Sequence, residues 1–306
     1  MKKKQKRLSV SICIPAYNEG KNIKKLLHAL SMQVTKYVEI KKIIVVCSGC
    51  TDKTENCVKA FAKANKKIIL ITEKQRNGKA SAINRFLKIA HEEIVVIESA
   101  DTIPEKDTIE KLCIPFLKDK SIGMTGGAPI PVNDPNTFLG YIIHSWWWFH
   151  RNIPRFGEII AYRNILPQIS MKTAVDEAYI QAKLVKKGYK PVHIDEARVK
   201  NKGPETVADL IKQRRRIYNG HARLHAQEHV KIDNMTKSSV YLILYKYKIH
   251  NIKQLFWLIG GIGLELYARF LGFYDTVIKH KNPYIWDTAK TTKRLDIGLK
   301  GGKVKK

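Results

Sequence analysis

The sequence predicts an α/β protein: a mixed, mainly parallel sheet flanked by helices, with a hydrophobic helical appendage at the C-terminal end. Three observations predict it. Strand and helix patterns alternate over the first 130 residues, one strand pattern is apolar on both faces and ends in acid, and the last 70 residues turn apolar and basic. Leu8–Pro15 (LSVSICIP) reads as the first strand, and Glu19–Gln33 carries helical apolar spacing. Lys42–Cys47 is a second strand followed by a helix over Thr51–Ala64; Lys67–Thr72 is a third, followed by a helix over Lys79–His91. Glu93–Ser99 is the fourth. Its run Ile94–Ile97 is β-branched throughout, as a strand covered on both faces requires, and Glu98 and Asp101 follow where it leaves the core. This rhythm calls for parallel strands joined by right-handed crossovers. Thr51-Asp52 and Asn77-Gly78 read as turns feeding helix N-termini.

From Ser121 the pattern loosens. Gly126-Gly127 and Pro129–Pro135 predict a turn-rich stretch, and Phe138–His150 is unusually aromatic, with Trp146-Trp147-Trp148 at its centre. Ile159–Tyr162 predicts a short strand, Val175–Lys187 a helix, Tyr189–Val199 a strand with a bulge or turn at Asp195-Glu196, and Pro204–Gln227 a long basic helix. Val240–Tyr245 and Leu255–Ile278 are rich in Leu, Ile, Phe, Tyr and Trp, the second long enough to cross a bilayer. Glu265 and Arg269 sit near its middle. Its Leu, Ile, Phe and Val residues contribute roughly −6 kcal/mol on an insertion scale, against about 2.5–3.5 for each central charge. Lysines flank both ends, so no charge asymmetry orients a span. The pattern favours a helix lying in a membrane interface, or a re-entrant one, over a clean span; a buried helical cap is the alternative. The domain reading is residues 1–230, in halves of about 8–130 and 131–230, and then a hydrophobic, basic, membrane-associating region and tail over 231–306.

The 306 residues suffice for a substantial core, and 44% hydrophobic with 27% charged residues is a globular composition. The net charge of +29 arises from 56 Lys and Arg against 27 Asp and Glu, with basic runs at Lys2–Arg7 and Lys290–Lys306. Such an excess suits a polyanion, whether nucleic acid, an anionic membrane surface or a diphosphate ligand, or else solvated lysine-rich faces. No RRM or KH signature or zinc-finger spacing is present, so nucleic acid is the disfavoured partner. Cys13, Cys47, Cys50, Cys57 and Cys113 are odd in number and lack the paired spacing of a disulfide framework. The basic start is followed by a strand-length apolar run without a cleavage site, which predicts a cytoplasmic location.

Four loops in order carry the chemistry. The first strand runs into Pro15-Ala16-Tyr17-Asn18-Glu19, and the second into Cys47-Ser48-Gly49-Cys50-Thr51-Asp52-Lys53-Thr54. Arg76-Asn77-Gly78-Lys79-Ala80 precedes the third helix with Asn84 one turn on, and the fourth strand ends Ser99-Ala100-Asp101. Further on stand Ala174-Val175-Asp176-Glu177, ahead of Gly188-Tyr189, and Gln213-Arg214-Arg215-Arg216-Ile217. Across residues 8–220 this order resembles the family 2 glycosyltransferases, which use the GT-A, Rossmann-like fold. Their run is P-x-Y-N-E, D-D-G-S-T-D-x-T, G-K-x-x-A-x-N, D-x-D, an acidic E-D pair and Q-x-x-R-W.

The resemblance implies a metal-dependent, inverting transferase working at the cytoplasmic membrane face. It would move sugar from a nucleotide-diphosphate donor to a glycan or lipid-linked acceptor. It implies donor contacts at Pro15, Ala16, Tyr17, Glu19, Cys47, Gly49, Asp52, Lys79, Ser99, Ala100, Asp101, Gln213 and Arg216, with Mg²⁺ or Mn²⁺ on Asp101. A diphosphate leaving an anomeric carbon needs its charge neutralised, which a cation on Asp101 supplies. Lys79 and Arg76 add positive charge or are merely solvated, and Arg216 suits a bidentate phosphate clamp. Of three successive arginines at least one is expected in solvent. The acceptor hydroxyl must lose a proton to a carboxylate whose pKa a second acid raises. Glu177 is the favoured base, and Asp176 is either its partner, the base itself or a helix N-cap.

The departures from the family pattern lie where the base and ribose would bind. Cys47 and Ser99 replace acids, Cys50 a serine, and Ile217 a tryptophan. Glu98 is a candidate to replace the lost acid, unless strand alternation turns it away. Cys47-Ser48-Gly49-Cys50 also spells a redox C-x-x-C, and Cys57 stands near enough in sequence for a zinc reading. Tyr141–Phe149 suits sugar stacking, a membrane interface or plain core. His144, His150 and His221 are each read first as structural, and Glu158 as an acceptor-side candidate. Two alternatives remain: a relative of the family that binds nucleotide sugar without turnover, and a basic nucleic-acid-binding protein.

Overall fold

The computed structural model describes residues 7–152, 156–228, 246–285, 290–293 and 295. Strands β1 (Leu8–Ala16), β2 (Val38–Ser48), β3 (Ile68–Glu73) and β4 (Ile94–Glu98) alternate with helices α1 (Ile23–Ser31), α2 (Thr54–Ala64) and α3 (Lys79–Leu87). Then come β5 (Thr102–Pro104), α4 (Thr108–Lys118), β6 (Ile122–Pro131), α5 (Phe138–Asn152), β7 (Ile159–Arg163), α6 (Asp176–Lys186), β8 (Lys190–Asn201) and α7 (Val207–Glu228). Helix α8 (Ile252–Phe273) continues as a π-helical turn over Tyr274–Ile278.

The eight strands form one sheet in the order β3-β2-β1-β4-β7-β6-β8-β5. β1, β2, β3 and β4 pair in parallel. β7 is antiparallel to both β4 and β6, while β8 runs parallel to β6 and antiparallel to β5. The sheet is therefore mixed and mostly parallel, as the alternation predicts. The chain builds outward from β1 to β3 and then returns to β4 on the other side of β1. That reversal opens a crevice at the carboxyl ends of β1 and β4, where α/β sheets bind ligands.

Strand alternation feeds two cores. Val10, Ile12, Ile14, Ile94 and Val96 pack on one face with α1, α2 and α4, while Cys13, Val95 and Ile97 pack on the other with α3 and α6. Ile94–Ile97 is buried on both faces, as predicted. Each buried Ile or Val contributes about 1.5–3 kcal/mol.

Three sequence expectations change. The turn-rich stretch from Gly126 is strand as far as Pro131. The glycines there admit neighbours rather than making turns: a Cβ on Gly126 would lie 2.0 Å from the Phe156 ring, and one on Gly127 2.5 Å from the Ala197 carbonyl. The first helix starts at Ile23, because Glu19–Asn22 forms a turn. Helix α3 ends at Leu87 rather than His91. The predicted bulge in β8 is present, the register with β6 jumping from Ile194 to Arg198.

Helix α8 is long and apolar enough to cross a membrane. Gly261 meets Ile142 of α5, and Gly272 meets Arg215 and Tyr218 of α7. The opposite face is an exposed stripe of Ile252, Phe256, Ile259, Ile262, Leu266, Phe270 and Phe273. The Val240–Tyr245 run and most of the basic ends lie outside the described residues.

Candidate active site

A cavity of about 1070 Å³ opens at the carboxyl ends of β1, β2 and β4. Pro15, Ala16, Tyr17 and Glu19 line it from the end of β1, Ser48 from β2, and Ser99, Ala100 and Asp101 from β4. Arg76 and Lys79 come from the β3–α3 turn and α3; Glu158, Asp176, Glu177, Gln213 and Arg216 form the far side. Of the predicted donor residues, Cys47, Gly49 and Asp52 stand behind this wall.

Asp52 is a clasp. Its carboxylate accepts from the Thr54 and Gly20 backbone N–H groups, both at 2.9 Å, so it ties the start of α2 to the β1–α1 loop. The Thr54 hydroxyl, also bonded to Asp52, accepts from the Glu19 N–H at 2.8 Å. Asn18, in the left-handed region at φ 52°, accepts from the Thr51 N–H at 2.8 Å. Gly49 has φ 65°, and a Cβ there would lie 2.5 Å from the Arg76 nitrogen, so glycine lets the β2 and β3 loops touch. Cys47 is fully buried in the core, and all five cysteines are free. Arg76 stacks its guanidinium over the Tyr17 ring at 4.0 Å.

A buried acid beneath this wall escaped the sequence reading. Glu73 accepts from the hydroxyls of Ser48 at 2.5 Å and Ser81 at 2.6 Å, and Ser48 accepts from the Asn77 N–H at 3.0 Å. Glu73 thereby couples the end of β2, the turn before α3 and α3 itself. The signal was present: an acid closes the apolar run Ile68–Thr72, as Asp101 follows Ile94–Ile97.

Lys79 does not stand free as a phosphate contact or solvated cation. Its ammonium lies 2.9 Å from Asp176 and also bonds Glu177, joining α3 to α6. Asp176 is 2% exposed and is the first residue of α6; Val175 holds the N-cap position, so the capping role is not observed. Burial pulls the Lys79 ammonium down, but Asp176 and Glu177 outweigh it and raise its pKa. Glu177 is raised from the ordinary carboxylate value by burial and by Asp176, against the opposing pull of Lys79.

Glu98 is not a substitute for the lost acid in the cavity. It is fully buried at the end of β4, where the Thr102 hydroxyl donates to it. Burial, with lesser contributions from Glu158 and Asp101, pushes it up to about 8. Glu158, by contrast, lines the cavity beside Asp101; burial and Asp101 push it up to about 7, with Lys79 opposing. The donor set of Asp101, Glu158 and the Ser99 hydroxyl is all oxygen, which fits a hard divalent cation such as Mg²⁺ or Mn²⁺. Among the described residues no three His, Cys, Asp or Glu side chains converge on one point. A cation here would thus share its coordination with a ligand's phosphates.

The three successive arginines of α7, Arg214 to Arg216, divide their work: two pair with acids of α8 and the turn after it, and one faces the cavity. Arg214 makes a bidentate pair with Glu265 of α8 at 2.6 and 2.9 Å and stacks on Trp146 at 4.8 Å. Arg215 pairs with Asp275 at 2.6 Å. Arg216 faces the cavity, where burial lowers its pKa and Asp176, Glu177, Glu158 and Asp101 oppose that lowering. The Glu265–Arg269 pair expected within α8 forms at 2.7 Å and extends to Arg214. Trp146, Trp147 and Phe156 make the aromatic wall, with His150 and His221 beside them. His144 is structural, its ring bonded to the Asn133 carbonyl at 2.9 Å.

A mixed sheet with a carboxylate-rich crevice at its topological switch point defines an α/β fold with a ligand-binding cleft at its strand ends. Residues 11–175, over half the chain, match the sequence profile of glycosyl transferase family 2. The chain belongs to that family. It is 29% identical over 133 residues to the poly-beta-1,6-N-acetyl-D-glucosamine synthase of Staphylococcus aureus (strain COL), covering 44% of this chain and 31% of that protein. The chain thus matches about a third of that relative's length. Its fold is that of the mannosyltransferase PcManGT from Pyrobaculum calidifontis in complex with GDP-Man and Mn²⁺ (TM-score 0.57, 22% identity, 91% and 82% of the two chains). It is likewise that of glucosyl-3-phosphoglycerate synthase from Mycobacterium tuberculosis in complex with Mn²⁺, UDP and glucosyl-3-phosphoglycerate (TM-score 0.51, 16% identity, 73% and 81%). The GT-A expectation is met.

Proposed function

We propose that the chain transfers a sugar from a nucleotide-diphosphate donor to an acceptor hydroxyl or phosphate with inversion. The observation that carries this is the Asp176–Glu177 pair, bridged by Lys79 and facing Asp101 and Ser99 across one cavity. The donor lies over the ends of β1, β2 and β4, its base toward the Tyr17–Arg76 stack. Asp101 holds Mg²⁺ or Mn²⁺, which when bound neutralises the charge of the departing diphosphate. Arg216 draws the same phosphates with a planar, bidentate donor set.

Glu177 takes the acceptor's proton as the acceptor oxygen forms its bond to the anomeric carbon. The bond from that carbon to the diphosphate oxygen breaks, and its electron pair leaves with the nucleotide. A single base on the side away from the leaving group makes the displacement inverting. Asp176 keeps the base's affinity for protons high, and Lys79 holds both acids in place.

The α8 stripe supports work at the cytoplasmic face of an anionic membrane. Its apolar residues form one continuous face, with exposed Lys246 and Lys248 before it, exposed Lys253 in its first turn, and exposed Lys279 and Lys281 after it. Its polar face is held by Arg214 and Arg215, so the helix lies along α7 rather than leaving the body of the protein. This favours an interfacial helix over a span. The cavity reaches Glu265 and Arg269 of α8, which suits a lipid-linked acceptor entering from the bilayer.

The test is sugar transfer from a panel of UDP- and GDP-sugars with Mn²⁺. Glu177→Gln is expected to lower kcat by about 10²–10⁴-fold with donor affinity kept, the usual contribution of a positioned base. Full activity in both Glu177→Gln and Asp101→Asn rejects the mechanism. Donor binding without transfer by the unaltered chain favours instead a catalytically altered relative, the reading that Cys47 and Ser99 support.

A further inference from the structure

We propose that Glu158 is the second carboxylate of the divalent-cation site, supplied across the sheet at the place where Ser99 lacks one. The inference rests on the reading of Asp101 as a cation ligand and names its partner. β4 and β7 are antiparallel, with Glu98 opposite Ile159 as the last ladder pair. One step further toward the cavity the Ser99 N–H donates to the Glu158 carbonyl at 3.0 Å, so these two residues face each other directly. Directly opposed residues point to the same side of a sheet, with Cβ atoms roughly 4.5–5.5 Å apart. Both residues line the cavity with Asp101. A carboxylate on Glu158 therefore reaches the space that an acid at position 99 would reach, from the neighbouring strand.

Charge pairing separates this pair of acids from the other pair in the cavity. Asp176 and Glu177 share the Lys79 ammonium. Among the described residues, Asp101 and Glu158 form no ion pair with a lysine, arginine or histidine. Two carboxylates in one cavity with no ammonium bridging them suit a hard divalent ion that completes its shell with phosphate oxygens and water. An acceptor-binding role for Glu158 would need neither the pairing with Ser99 nor the proximity to Asp101.

The experiment reads Mn²⁺ binding to the full chain from the free-ion electron paramagnetic resonance signal, with and without GDP or UDP. Glu158→Gln is expected to weaken Mn²⁺ binding by roughly tenfold or more, with an unchanged metal-free melting temperature. Ser99→Asp in the Glu158→Gln background is expected to recover most of that affinity, since it returns a carboxylate to the same space. Glu158→Asp, which retracts the carboxylate by one methylene, gives a second reading of the same dependence with an intermediate loss. Unchanged Mn²⁺ affinity in Glu158→Gln and Glu158→Asp, with weakened affinity in Asp101→Asn, overturns the role of Glu158 alone. Unchanged affinity in all three overturns the Asp101 reading as well.

Discussion

The two walls of the cavity are built by different means. The donor wall is made of strand ends and the loops that follow them, the short contiguous stretches Pro15–Glu19, Arg76–Lys79 and Ser99–Asp101 with Ser48, and the loop Cys47–Thr54 braces it from behind. Bonds within and between neighbouring loops hold it, Asp52 to Thr54 two residues apart and Asn18 to Thr51 thirty-three. The far wall is assembled from α5, α6, α7 and α8, and ion pairs between helices hold it: Arg214 with Glu265 and Arg215 with Asp275. A motif can specify the first kind of wall. The second depends on partners 51 to 60 residues apart in the chain.

Lys79 is where the two walls meet, so its removal should have the largest effect. Lys79→Met leaves Asp176 and Glu177 buried without their cation, a loss on the order of 3 kcal/mol or more. The pKa of Glu177 is already raised, and Lys79 is what restrains it. Without Lys79 it rises further, so the base stays protonated to higher pH. The acid limb of the kcat/KM profile should therefore move to higher pH, with kcat reduced about 100-fold. An unmoved limb would mean that the walls act independently.

Glu98, behind the donor wall, gives the next effect. Its folded-state pKa of about 8 lies above an unfolded value near the ordinary 4.5. Its contribution to stability is thus fully present below about pH 4.5 and is lost as pH rises toward 8. Glu98→Gln stays neutral throughout. Its advantage in thermal melting should be near zero at pH 4.5 and grow to the order of 3 kcal/mol at pH 8. A constant difference across that range would contradict the buried neutral acid.

On the far wall, Glu265→Ala leaves Arg214 and Arg269 without their shared acceptor and should cost about 2 kcal/mol. Limited proteolysis should then cut nearer α8 first if that wall depends on the ion pair. The smallest effect belongs to the donor loops, where Asp52→Ala removes a helix-start acceptor worth about 1 kcal/mol. Equal losses in the last two variants would erase the contrast between the walls.

Particular residues show how far the pattern could be read. Ile94–Ile97 revealed a central strand because a strand buried on both faces needs apolar residues at every position. Gly126-Gly127 misled because glycine marks close backbone approach as well as turns, and only the ring of Phe156 distinguishes the two. Helix α4 went unread; Pro115 lies inside it and breaks the helical pattern. Glu98 and Asp101 looked alike in sequence, yet the first is sealed against Thr102 and the second opens to the cavity.

By itself the sequence determined the strand–helix alternation, the order of the loops at the strand ends, the family and the apolar character of α8. These follow from periodicity and from residue types that local backbone geometry demands. The tertiary structure alone decided that Lys79 serves the acids rather than standing free. It alone gave Arg214 and Arg215 to the α8 region, beside the Arg216 that the resemblance already named for the cavity, and set Glu158 opposite Ser99. The physical reason is common to all three: a charge takes its role from the charges nearest to it in space. Burial strengthens those interactions, and sequence separation says nothing about which of them will be neighbours.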